Sequence, residues 1–188
     1  MIIYDISRDL ISSPLYPGTL PPRLRTLSVI DEVSDYRLSE ITVDLHTGTH
    51  VDAPSHCLPQ GMAVDVLPLG NFIGEALVFD ISCHCISDLS VASSAKILLL
   101  KGSDCNPLSV RDCAVIKQLG YITVGVDALT VGGAMEELAV HRALLSSGMG
   151  IIENLCLDVV DEGVYFLSAL PVKIVGAEAS FCRAVLIG

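Results

Sequence analysis

Apolar runs of strand length recur along the chain at 2–6, 41–45, 76–81, 97–100, 121–126, 151–155, 164–170, 172–175 and 184–187. Several alternate and others are continuously apolar, so the pattern predicts strands in both half-buried and fully buried settings. Two stretches change to helical spacing. One spans about 109–119 and stops at Gly120, the other about 134–147 and stops at Gly148, each glycine suiting a helix C-terminal stop. Residues 12–25, SSPLYPGTLPPRLR, hold four prolines and a glycine and are expected to form an ordered arm without regular structure. Neither an internal repeat nor a linker divides the chain, so one mixed α/β domain over 1–188 is expected.

Composition narrows the classes. Apolar residues make up 51% and charged residues 18%, which suits a folded core rather than disorder. Eleven Lys and Arg against 22 Asp and Glu give a net charge of −11, which argues against a nucleic-acid partner needing a basic face. No run reaches the ~18 apolar residues that would span a bilayer, and MIIYDISRDL lacks a basic leader, so a cytoplasmic protein without a membrane partner is expected. Low charge density and a mean hydropathy of +0.60 suggest that a second subunit covers apolar surface. The seven scattered cysteines read as reduced core thiols, and Cys83-His84-Cys85 lacks a matching second half for a metal site.

The chemistry concentrates at residues 46–56, HTGTHVDAPSH, which hold three of the chain's five histidines. In a straight strand His46 and His50 would lie ~13 Å apart, too far for both to reach one ion through bonds of about 2.0–2.1 Å. The chain must bend, and Gly48 permits it. A strand over 41–45 would deliver His46, the turn would return His50, Asp52 would follow, and Pro54 would stiffen the segment presenting His56. Two more residues are candidates. His141 shares a predicted helix face with Leu138 and Leu145, and Glu153 sits in the apolar run GIIENL, where an unpaired carboxylate is costly to bury. Singly, each has an ordinary explanation: His141 as a hydrogen-bonded core histidine, Glu153 paired with Arg142, His56 as an exposed loop residue. Jointly, they suggest a shared cation. Three imidazoles and two carboxylates without a thiolate suit Zn²⁺ or Mn²⁺ and permit Fe²⁺.

The pattern H-x-G-T-H-x-D-x-P-x-H, carried by His46, Gly48, Thr49, His50, Asp52, Pro54 and His56, resembles the signature of the cyclase family of metal-dependent hydrolases. That family includes bacterial kynurenine formamidase and isatin hydrolase. The likeness extends through YPG at 16–18, VDVLPL at 64–69, VGVD at 124–127, AVHRALL at 139–145, IIENL at 151–155 and LPVKIVGAEASFCRAVLI at 170–187. It implies a swivelling β/β/α fold, with a mixed sheet core and few helices, assembled as homodimers or homotetramers. It also implies one divalent ion on His46, His50 and Asp52, and a second on Asp52, His141 and Glu153, with His56 as proton donor and acceptor. On the donor chemistry above, Zn²⁺ is expected ahead of Mn²⁺, with one or two ions per subunit. The implied reaction is hydrolysis of a small amide, with N-formylkynurenine as the model substrate and water activated by the metal as nucleophile. Ring opening of a cyclic amide or lactone is the near alternative, and a non-catalytic metal- or ligand-binding module the distant one. Two departures bear on the substrate. Tyr16 stands where the family's formamidases present a tryptophan, and the stretch at 101–106 is shorter and lacks aromatic residues.

Overall fold

In chain order the strands are β1 (Ile3–Asp5), β2 (Arg23–Ser28), β3 (Leu38–Thr42), β4 (His50–Asp52), β5 (Ile73–Asp80), β6 (Ile97–Lys101), β7 (Thr123–Val126), β8 (Gly150–Glu153), β9 (Gly163–Ser168), β10 (Ala179–Phe181) and β11 (Val185–Ile187). Helix α1 (Val110–Gln118) precedes β7, and α2 (Glu137–Leu145) precedes β8. This computed structural model describes residues 1–89 and 94–188.

Nine strands form one sheet in the order β1-β11-β9-β5-β6-β7-β8-β4-β10, while β2 and β3 form a separate hairpin. The centre, β5-β6-β7-β8, is parallel, and every flanking pair is antiparallel. The run ILLL shows why β6 is central. Ile97 and Leu99 pack into one apolar cluster, Leu98 and Leu100 into another on the opposite face, and all four are fully buried. The second cluster contains Ile116 of α1 with Val140 and Leu144 of α2, so both helices cover that face. On the first face, Ile97 and Leu99 meet Val51 of β4, Leu167 of β9 and Leu186 of β11, which requires the sheet to curl until its outer strands pack on its centre.

Local chemistry sets the helix ends. Ser109 Oγ accepts from the Asp112 amide at 3.3 Å and the Asp112 carboxylate accepts from the Ser109 amide at 2.9 Å, a reciprocal cap at the start of α1. Beyond α2, Gly148 adopts φ +80°, a conformation that stops a helix.

The expected elements differ from these in defined places. Segment 172–175 forms no strand, with only a single bridge between Pro171 and Cys182 beside it. The strand expected at 41–45 lies at β3 instead, and the expected arm 12–25 gives way to β2 from Arg23 because Arg23 and Arg25 pair with Thr42 and Glu40. Strands β4 (HVD) and β10 (ASF) went unforeseen because, unlike the equally short β1 and β11, neither lies in an apolar run of strand length. The cysteines are not mostly core residues: Cys83, Cys85 and Cys105 are exposed, and Cys113 alone is buried among the free thiols described.

Candidate metal centre

The six candidate residues converge where the sheet changes from parallel to antiparallel pairing, at the carboxyl ends of β7 and β8. There His50 lies directly opposite Glu153 across the β4-β8 ladder, and Asp52 lies two residues further along the same face. Gly48 makes the approach. Its φ of +65° lies in the left-handed region, and a Cβ there would come within 3.1 Å of Asp9 O and Leu10 Cδ2. The expected bend is therefore present, but no strand delivers His46. The chain instead turns at Asp44, whose carboxylate accepts from the His46 amide at 2.9 Å. Across that bend the His46 and His50 ring centroids are 5.1 Å apart.

Two imidazoles are aimed by the backbone. His50 Nδ1 lies 2.9 Å from Gly48 O and His141 Nδ1 lies 2.8 Å from Glu137 O, so each ring donates there and turns Nε2 toward the carboxylates. His141 sits on the inward face of α2 with Val140, Leu144 and Leu145, whereas Leu138 is 54% exposed and does not share that face. Asp52 is the hub. His46 Nδ1 is 3.1 Å and His50 Nε2 3.5 Å from its Oδ1, and His141 Nε2 is 3.4 Å from its Oδ2. Glu153 adds contacts of 3.3 Å to His50 and 3.2 Å to His141, and accepts from the Val131 amide at 2.9 Å rather than pairing with Arg142. His56 completes the ring of imidazoles, its centroid 4.4 Å from that of His46 and 5.5 Å from that of His141, and it alone of the four is exposed.

These contacts bring opposite charges together without satisfying them. Both Asp52 carboxylate oxygens and His50 Nε2 are buried with no correctly directed hydrogen bond among the described residues, although nitrogen and oxygen approach within 3.5 Å. Burial is the largest influence on each titration here, and for the imidazoles it opposes charge. It is outweighed: Glu153 and Asp52 hold His50 up at about 9 and His141 up at about 11. Asp52 and Glu153 are pulled below the carboxylate range despite burial, mainly by His141 together with His46 for Asp52 and His50 for Glu153. The two carboxylates therefore demand positive charge at this point, which protons or a dication can supply. His50, Asp52 and Glu153 each offer a ligand atom within 4.8 Å of one another, as do His46, Asp52 and His56. The donor set of imidazole and carboxylate thus fits a divalent ion such as Zn²⁺ or Mn²⁺, and distance by itself also brings His56 within reach.

A cavity of about 160 Å³ opens over the cluster, lined by His46, His50, His56, His141 and Glu153 together with Tyr16, Thr19, Asp44, Leu129, Thr130 and Glu137. The Tyr16 hydroxyl lies 3.0 Å from both Glu137 carboxylate oxygens, which ties the arm to the first turn of α2. Glu178, 3.7 Å from His46, and Thr130 stand beside the predicted residues without having been foreseen. Glu178 lies within the family-like stretch 170–187 but nothing there marked it as a site residue, and only β10 and the loop after β7 bring the two here. Cys83-His84-Cys85 stands apart, where His84 contacts Glu162 at 3.4 Å.

The Cyclase family model matches residues 4–110, a span that contains the whole of 46–56. The chain belongs to the cyclase family. Among its relatives in that family is the kynurenine formamidase of Salinibacter ruber, 35% identical over 99% of this chain and 97% of that protein. A solved structure described as a predicted metal-dependent hydrolase, from Bacillus stearothermophilus, is 28% identical, covers 98% of this chain and 97% of its own, and superposes with a TM-score of 0.81. Isatin hydrolase A from Labrenzia aggregata, at 20% identity with 98% of this chain and 93% of that one covered, shares the fold with a TM-score of 0.78. The curled mixed sheet with two helices is thus the cyclase-family fold.

Proposed function

We propose that this chain is a metal-dependent hydrolase of a small amide C–N bond, an arylformamidase acting on substrates such as N-formylkynurenine. The observation that carries the reading is the buried set of Asp52 oxygens and His50 Nε2, none with a directed hydrogen bond among the described residues, beside a cavity that His50, His141 and Glu153 line. Relatedness to the Salinibacter ruber kynurenine formamidase along nearly the full length of both chains supports the reaction class. His46, His50 and Asp52 would hold one ion, and Asp52, His141 and Glu153 a second, with Zn²⁺ favoured over Mn²⁺. Such an ion would supply polarisation of the substrate carbonyl and a lowered pKa for a water on it, about 7 in the case of zinc.

His56 takes a proton from the attacking water and returns it to the leaving nitrogen. Its exposure gives it the solvent access that proton exchange needs, and burial of part of the ring, the largest influence, lowers its pKa and favours the neutral base. Tyr16, held by Glu137 at the rim, meets the substrate's ring in place of a tryptophan. The chain acts as one domain over 1–188 in the cytoplasm; among the described residues no helix is long and apolar enough to cross a membrane. Leu24, Leu27, Leu38 and Ile41 of the β2-β3 hairpin are exposed, which supports assembly as a homodimer or homotetramer.

The test is to purify the protein with its native metal, quantify the metal, and assay N-formylkynurenine, formanilide, isatin and simple lactones. Amide turnover is expected, together with His56→Ala losing it by at least about a hundredfold at unchanged metal content. Preference for isatin or a lactone would favour the ring-opening reaction, and undiminished turnover by the His56 variant would refute the proposed proton transfers.

A further inference from the structure

The loop after β7 carries a hydroxyl that the fold leaves unused. Thr130 Oγ1 is shielded from solvent and has no hydrogen-bond partner among the described residues, and Thr130 lines the cavity over the metal centre with His50, His56 and Glu153. A buried hydroxyl normally bonds to a nearby carbonyl, so one that does not calls for a reason. Slack in the loop is not the reason. The Asp127 carboxylate accepts from the amides of Gly102 at 2.7 Å and Ser103 at 2.8 Å. Ala128 donates to Ser103 Oγ at 3.1 Å and accepts from the Asn154 amide at 3.0 Å. Val131 donates to Glu153 at 2.9 Å, and Gly132 bridges to Leu108. Thr130 is therefore fixed from both sides while its own hydroxyl stays free.

The cavity's other hydroxyls are engaged: Tyr16 bonds to Glu137, and Thr19 Oγ1 donates to Tyr16 O at 2.8 Å. The carboxylates of Asp44, Glu137 and Glu153 offer acceptors. An oxygen gaining negative charge beside these carboxylates is stabilised by a hydrogen-bond donor in addition to a bound ion, and Thr130 is the lining hydroxyl left to provide one. We propose that Thr130 is a catalytic residue whose side chain turns about its Cα–Cβ bond to bring the shielded hydroxyl to the cavity surface, where it donates a hydrogen bond to the carbonyl oxygen of the substrate amide that strengthens as the oxygen becomes an oxyanion. Thr130 keeps its proton throughout. Water adds to the carbonyl carbon, the C–N bond breaks, and the nitrogen leaves with the proton carried by His56. This assignment rests on the amide-hydrolase reading of the site.

The experiment compares the metal-loaded wild type with Thr130→Val, which keeps the branched shape, and Thr130→Ser, which keeps the donor. Steady-state kinetics on formanilide and N-formylkynurenine are combined with metal content and melting temperature. Thr130→Val is expected to lower kcat about a hundredfold with KM within about threefold, the size of effect seen when one oxyanion donor is removed. Thr130→Ser should recover most of that loss, and metal content should match wild type in both. A kcat for Thr130→Val within about threefold of wild type overturns the assignment, as does an equal loss in the Val and Ser variants or a loss of metal that accounts for the rate. Inactivity of the wild type on both amides would instead refute the hydrolase reading itself, and this inference with it.

Discussion

Replacing Asp52 by asparagine tests the centre at its hub with almost no change of shape. Its carboxylate lies 3.1–3.5 Å from nitrogens of His46, His50 and His141 and is fully buried. At such distances one charge pair is worth about 5 kcal/mol at an effective dielectric constant of about 20. Measured losses on breaking a buried pair run at about 3–5 kcal/mol. Since about 1.4 kcal/mol is a factor of ten, metal affinity should fall by about a hundredfold to a thousandfold or more. The assay is competition for Zn²⁺ against a chromophoric chelator, with metal quantified after gel filtration and circular dichroism confirming the fold. Affinity within about threefold of wild type would refute the argument that Asp52 supplies the anion around which the centre is built. The metal-free variant gives a second reading by NMR titration. The ring of His141, held at about 11 by Asp52 and Glu153 against burial, should titrate at lower pH once one of those carboxylates is gone.

Gly48→Ala should cost about 1–2 kcal/mol of stability and lower metal affinity, because the new Cβ meets Asp9 O and Leu10 at 3.1 Å in a left-handed backbone; a melt and a metal titration check both. Ser109→Ala removes one side of the α1 cap and should cost about 1 kcal/mol, read as a melting temperature lower by about 2–4 °C with turnover unchanged. Burial pushes the Cys113 thiol up to about 12, so at pH 8 its thiolate is scarce. A thiol reagent should therefore label the exposed Cys83, Cys85 and Cys105 in the native protein and reach Cys113 only on unfolding, as peptide mapping would show.

Residue chemistry and spacing along the chain determined a good deal by themselves. The ILLL run at 97–100 marks a strand buried on both faces because no polar side chain interrupts it, and Ser109 and Gly148 bracket the helical region through local backbone chemistry. HTGTHVDAPSH announced both the cluster and its bend, since its ligands cannot converge without one and only Gly48 is free to turn. His141 and Glu153 stood out as polar groups in apolar company, a signal that burial cost makes readable in advance. Other features are matters of pairing between distant segments. That His50 sits opposite Glu153, that β4 is a strand at all, and that Leu138 points outward while His141 points inward depend on how β4, β8 and α2 meet. Hydrogen bonds and packing across a hundred residues of separation leave no periodic trace in so short a segment. Thr130 and Glu178 are the clearest cases. Neither has the spacing to histidine or carboxylate neighbours that marks a ligand, and each acquires its place beside the centre only when the loop after β7 and the approach to β10 are folded against it.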